Sequence, residues 1–178
     1  HGYVSHSFCS PTRAGLLTGR YQQRFGHEMN PPYAPDNPAI GLPTNEVTIA
    51  AILRARGYVS GLVGKWHLGA APPFHPLARG FDEVFGFLGG GHHYFPEKWT
   101  GETEYTTPLI RNRQPVEERE YLTRALGREA AAFVERHRAR PFFLYLAFNA
   151  PHTPMQAPAE VEERFRAISN PTRRTYAA

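Results

Sequence analysis

Two apolar runs, Tyr58-Val59-Ser60-Gly61-Leu62-Val63 and Phe142-Phe143-Leu144-Tyr145-Leu146-Ala147-Phe148, each follow a helical pattern and open into a loop that carries histidine. Ahead of the first, a helix is predicted from Thr44 or Asn45, with Ile49, Ile52 and Leu53 at helical spacing and Gly57 as its stop. Ahead of the second, Leu122, Leu126, Ala130, Phe133 and Val134 recur at spacings of three and four, and Arg140-Pro141 ends the helix. Runs this apolar, without polar alternation, read as strands buried on both faces. Helices alternating with such strands predict an α/β fold with a mostly parallel central sheet flanked by helices. Ligands bind beyond the carboxyl ends of strands in such sheets, which puts Lys65, His67 and His152 on one rim.

The stretch Cys9-Ser10-Pro11-Thr12-Arg13-Ala14-Gly15-Leu16-Leu17-Thr18-Gly19-Arg20 reads as a short helix. Ser10 suits the N-cap, Pro11 the first helical position and Gly19 the far end, with Leu16 and Leu17 as its buried residues. Cys9 then lies just outside the helix N-terminus, where free N–H groups and the dipole favour an anion and lower a thiol pKa. Arg13 in the first turn opposes the macrodipole, which makes sense if a dianion binds between it and Cys9. By itself a lone cysteine reads first as a small apolar core residue.

Cys9-Ser10-Pro11-Thr12-Arg13, followed by Leu17-Thr18-Gly19-Arg20, resembles the sulfatase signature at every defined position. The resemblance implies a type I, arylsulfatase-like sulfatase of alkaline-phosphatase-like architecture. It implies that Cys9 is oxidised to formylglycine by a formylglycine-generating enzyme. The hydrated aldehyde then attacks a sulfate ester, forming a covalent sulfoenzyme intermediate, and its second hydroxyl expels sulfate. Gly64-Lys65-Trp66-His67-Leu68-Gly69 and Ala150-Pro151-His152-Thr153-Pro154 resemble two further motifs of the same family. These imply that Lys65 binds sulfate, that His67 bonds the formylglycine hydroxyl and helps collapse the sulfated intermediate, and that His152 binds the ester and supports protonation of the leaving oxygen. Cys9, Arg13, Lys65, His67 and His152 are thus the expected catalytic residues.

Lys65 and His67 stand two apart and point the same way if the segment is extended. Trp66 between them reads as packing. Gly89-Gly90-Gly91-His92-His93 is a weaker match: the histidines either touch substrate, with His93 the candidate, or lie at the surface. It lacks the spacing of a phosphate- or dinucleotide-binding loop. His27, in a Pro-, Asn- and Gly-rich stretch over 21–43, reads as structural.

The resemblance also implies a divalent cation, most often calcium, held by oxygen ligands. Of its ligands only modified Cys9 is carried by these residues; Asp36 and Asp82 match neither aspartate motif. Residues 1–178 are accordingly expected to be part of a larger catalytic domain, truncated at both ends and inactive alone. The expected substrate is a sulfated small molecule or carbohydrate. The alternatives are a formylglycine-dependent phosphonate or phosphate monoester hydrolase, which binds the same tetrahedral anion, and an inert or non-catalytic piece. Periplasmic or secreted placement follows from the resemblance only.

Composition narrows these readings. A single cysteine excludes an internal disulfide and any multi-cysteine zinc site. The net charge of +4 is spread among interleaved acids and bases, and the basic stretch from Arg164 to Arg174 reads as a solvated helix face rather than a nucleic-acid patch. No apolar run approaches the roughly 20 residues that span a bilayer.

Overall fold

The structure is a computed structural model that describes residues 1–95 and 103–178. Its centre is strand β1, Val59–Lys65, buried along its whole length. Strand β2, Glu83–Phe87, and strand β5, Phe142–Ala147, pair with it in parallel on either side. Two-residue strands β3, Ile110–Arg111, and β4, Gln114–Pro115, add an antiparallel hairpin beside β2, giving the order β4-β3-β2-β1-β5. The sheet is therefore mostly parallel, as the alternation of helices and apolar runs predicts.

Helices cover both faces. Helix α1, Cys9–Thr18, and helix α2, Ile49–Arg54, lie on one side, where Ala14, Leu17, Ala50, Leu62, Trp66 and Phe81 share a core. Helix α3, Leu122–His137, covers the other with Leu122, Leu126 and Ala130 against Val63, Phe85 and Phe87. Leu62 and Val63 thus feed different cores, as successive residues of a strand must. Short helices α4, Ala159–Glu162, and α5, Pro171–Ala177, come after β5, and the basic residues of 164–174 lie on and before α5.

Several local expectations are corrected. Helix α2 starts at Ile49 rather than Thr44 or Asn45, because Thr48 caps it by accepting the Ala51 N–H at 3.2 Å. Ala50 is its buried residue, whereas Ile49 and Ile52 are exposed, since the helix lies close against Gly80. Of the two α1 leucines expected to be buried, Leu17 is and Leu16 is exposed. Strand β5 is half-exposed rather than buried on both faces, because it forms the edge of this sheet. The β3–β4 hairpin has no signal in the sequence, as two-residue strands carry no periodicity. Its turn holds Asn112 at φ 55, and Asn112 substitutes for a strand neighbour: its Oδ1 accepts the Val84 N–H at 2.9 Å and its N–H donates to Val84 O at 2.7 Å.

The parallel register sets the carboxyl ends of β1 and β5 side by side, with Gly64 opposite Ala147. A Cβ on Gly64 would lie 2.1 Å from the Ala147 carbonyl oxygen, and its φ is 114°. Gly64→Ala is expected to destabilise the protein by about 3 kcal/mol or more, combining a disfavoured backbone angle with a clash that must push strands apart. Gly127→Ala is the control: Gly127 lies within α3, nothing stands within 4 Å of the added carbon, and alanine is expected to stabilise by up to about 1 kcal/mol. Urea midpoints of the two variants check both signs.

Candidate active site

Cys9 is the first residue of α1, not the residue before it. Phe8 occupies the N-cap in extended conformation and provides no side-chain cap. The predicted cap, Ser10, is fully buried inside the helix: its N–H donates to Asn30 Oδ1 at 2.9 Å, and its hydroxyl donates to the His67 carbonyl at 2.5 Å. Gly19 ends the helix at φ 67, as expected.

Lys65 closes β1 and is 2% exposed. The chain then turns at His67, whose φ of 59° is left-handed. Lys65 and His67 therefore do not share one side of an extended segment, yet both reach Cys9. Trp66 is fully buried and donates its indole N–H to Phe74 O at 2.9 Å, which makes it a packing residue. At the end of β5, His152 stands between cis Ala150-Pro151 and cis Thr153-Pro154.

Three of the five expected catalytic side chains converge electrostatically on a fourth, the Cys9 thiol. The hydrogen-bonding contact of His152, then that of His67, and the charge of Lys65 hold its pKa down to about 4, against the opposing effect of burial. The two imidazoles are pushed in opposite directions. Burial holds His67 below the usual histidine range, whereas contact with Cys9 raises His152. His152 Nδ1 lies 2.7 Å from the Thr153 carbonyl, which only accepts, so Nδ1 carries a proton and Nε2 is left for the thiol. His67 Nε2 likewise points to Pro31 O at 3.3 Å.

The fifth, Arg13, ties the parts together. Its Nη1 donates to Lys65 O at 2.8 Å and to the Tyr145 hydroxyl at 3.2 Å, linking α1 to β1 and β5. Cys9, Arg13, Lys65 and His152 line an open cleft of about 560 Å³ together with Tyr145, Phe148 and Asn149. Among the described residues no aspartate or glutamate lines it. Cations and imidazoles facing a cleft free of carboxylates suit a bound anion.

His93 is not brought to this cleft. It lines a separate cavity of about 530 Å³ with Tyr94, Thr107, Leu109 and Glu118. Its loop does support His152, because Tyr94 donates its hydroxyl to His152 O at 2.9 Å and Asn149 Nδ2 donates to His92 O at 3.1 Å. Tyr145 and Asn149 line the cleft and carry no motif that singles them out in sequence. Tyr145 is hidden in an apolar run, but Asn149, a polar residue just past a strand end, was open to discovery by the rule that placed His152.

A model of the family described as Sulfatase matches residues 1–178. The chain belongs to the sulfatase family. Among curated relatives it is 39% identical to N-acetylgalactosamine-6-sulfatase of Canis lupus familiaris over 176 residues, 87% of this chain and 33% of that protein. It is 34% identical to arylsulfatase J of Mus musculus, over 99% of this chain and 30% of the relative. It thus spans about a third of the length of these sulfatases. The crystal structure of Ps i-CgsB matches with a TM-score of 0.90 at 46% identity, covering 98% of this chain and 42% of that one. Ps i-CgsB in complex with k-i-k-neocarrahexaose matches with a TM-score of 0.91 at 45% identity, with the same coverage.

Membership of the sulfatase family suggests a divalent cation. The described residues of this sulfatase chain do not by themselves fit one: they hold no group of three or more His, Cys, Asp or Glu placed around a metal, and the surroundings of Cys9 are cationic.

Unconverted Cys9 is expected to be a thiolate at neutral pH. The sign comes from its lowered pKa: the anion persists as pH falls until about 4, whereas an unfolded cysteine is protonated below its usual pKa near 8.5. Iodoacetamide labelling of the folded protein should therefore continue well below pH 7 and fade only towards pH 4. Labelling in urea should fade below about pH 8. A folded-state midpoint above neutrality would overturn this electrostatic account.

Proposed function

We propose that the full-length protein is a sulfuric ester hydrolase and that Cys9, converted to formylglycine, is its nucleophile. Residues 1–178 then form part of a larger catalytic domain, in line with the share of each relative that they span. The observation that carries the reading is the convergence of Lys65, His67 and His152 on position 9, with Arg13 on the same cleft. The names of the relatives favour sulfate over phosphate or phosphonate esters. N-acetylgalactosamine-6-sulfatase and the neocarrahexaose complex favour a sulfated carbohydrate as the substrate class.

As its hydrate, formylglycine supplies one hydroxyl to attack sulfur and a second to release sulfate and restore the aldehyde. Lys65 and Arg13 offset the negative charge of the sulfuryl oxygens in a cleft with no competing carboxylate among the described residues. His152 is the acid: in the unconverted protein contact with Cys9 already raises it, and its Nε2 is free of the Thr153 carbonyl to donate to the leaving oxygen. His67 is the base: burial disfavours its cation, so it accepts the proton of the remaining hydroxyl of sulfated position 9 as the S-bearing C–O bond breaks, sulfate leaves and the aldehyde re-forms. A divalent cation, calcium by family resemblance, belongs to the proposal, and modified position 9 would be one of its oxygen ligands. Its carboxylate partners would come from chain outside these residues, and none of these steps runs through it.

Coexpression with a formylglycine-generating enzyme should yield an aldehyde at position 9, seen by peptide mass spectrometry, and Cys9→Ser should fold without turning over. Aryl sulfate should be hydrolysed faster than the matching aryl phosphate; the reverse order would make the protein a phosphate ester hydrolase.

Along a series of leaving groups, His152→Ala should lose roughly 10²–10⁴-fold on basic leaving groups and much less on activated aryl sulfates, because an acid matters most when the departing oxygen is basic. His67→Ala should lose activity evenly across the series and accumulate sulfated enzyme. Identical profiles for the two variants would refute this division of roles.

A further inference from the structure

The structure holds a buried chain of contacts behind the cleft that the catalytic roles above do not use. Ser10, next to the nucleophile position, places its hydroxyl 2.5 Å from His67 O and 2.7 Å from His27 Nε2. A serine hydroxyl has one proton, and a carbonyl only accepts. The proton therefore goes to His67 O, and Ser10 Oγ accepts from His27, whose Nε2 must carry hydrogen. His27 is 7% exposed and Ser10 is fully buried, so water does not replace either bond.

The carbonyl at the end of this chain belongs to a residue in a conformation that needs support. His67 is one of two non-glycine residues at positive φ among those described, and it is held there at 59°. Such a backbone persists only where its surroundings over-determine it. The loop that carries His27 supplies the rest of the clamp. Asn30 Oδ1 takes the Ser10 N–H at 2.9 Å, and Pro31 O stands 3.3 Å from His67 Nε2. This leaves His67 Nδ1, buried and with no hydrogen-bond partner among the described residues, as the nitrogen for position 9.

We propose that His27, acting through Ser10, is the positioning residue that holds His67 in its left-handed turn and aims its imidazole at position 9. The inference rests on His67 as the base of the proposed reaction. His27 touches neither substrate nor nucleophile. A histidine in a Pro- and Gly-rich loop looks structural in sequence; here its ring nitrogen ends a chain of contacts that starts beside the active cysteine.

The test uses the full-length protein with the aldehyde at position 9, assayed per aldehyde on an aryl sulfate. His27→Ala and Ser10→Ala should each lower kcat by about 10- to 100-fold, the scale of a misplaced catalytic group, with KM within about a factor of two. His27→Gln, which keeps an N–H at similar reach, should recover most of the loss. The double variant should be no slower than Ser10→Ala, because both changes break one chain. Should His27→Ala not fold, Ser10→Ala and His27→Gln carry the same comparison. Crystal structures of unconverted Ser10→Ala and His27→Gln give a readout apart from turnover: His67 should leave its φ of 59° in the first and keep it in the second. Additive losses, no rescue by His27→Gln, or His67 left-handed in both crystals overturns the proposal. Wild-type protein that carries the aldehyde and hydrolyses no sulfate ester overturns the proposed function instead, and the crystals still decide the role of His27.

Discussion

Strand β1 lies between β2 and β5, and its last turn before the cleft depends on backbone packed against backbone. At Gly64 there is no room for a side chain, because a Cβ would meet the Ala147 carbonyl, and at Gly86 it would meet the Gly64 carbonyl at 1.9 Å. Backbone therefore packs directly on backbone at the ends of these three strands. The segments leaving those strands start from a common point: that of Lys65 and His67 from β1, that of His152 from β5, and that of His92 and His93 from β2. Helix α1 joins them through Arg13, whose guanidinium bridges the Lys65 carbonyl and Tyr145. The cleft is a consequence of sheet geometry before it is one of side-chain chemistry.

The chemistry then arises from charge in a partly buried place. A lysine that is 2% exposed is costly to charge unless an anion or polar partners compensate. In the unconverted protein the thiolate of Cys9 is such a compensation, and the mutual dependence is visible in both directions: Lys65 and the imidazoles lower Cys9, and Cys9 raises His152. In the proposed enzyme a sulfuryl group takes the place of that negative charge. The same surroundings explain why two histidines of equal intrinsic basicity differ. His67 is buried and next to Lys65, which disfavours its cation, whereas half-exposed His152 gains more from the anion than it loses to burial.

Local sequence was informative wherever one side chain or one period settles the outcome. The alternation of helix and apolar strand was legible, as were the ends of α1 and α3 to within a few residues and the strand ends that carry Lys65 and His152. It failed where neighbours decide. Ser10 has the chemistry of an N-cap, yet the His67 carbonyl and His27 draw its hydroxyl inward and Phe8 takes the cap position. Ile49 and Ile52 have the spacing of a buried face, yet close packing at Gly80 turns Ala50 inward. His93 was a candidate for the substrate because of its glycines, and the fold sends it to a different cavity.

Residue type and short spacing were enough to establish the α/β class, the family to which the motifs belong, and the identities of Cys9, Arg13, Lys65, His67 and His152 as residues of interest. Such information survives in one dimension. Three further properties emerged only from the folded chain: which side chains hold the thiol pKa down, the opposite directions in which the two histidines are pushed, and the left-handed turn of His67 backed by Ser10 and His27. They depend on burial and on contacts between residues far apart in the chain, from Ser10 with His27 to Cys9 with His152, and neither exists until β1 and β5 have paired and α1 has closed over their ends.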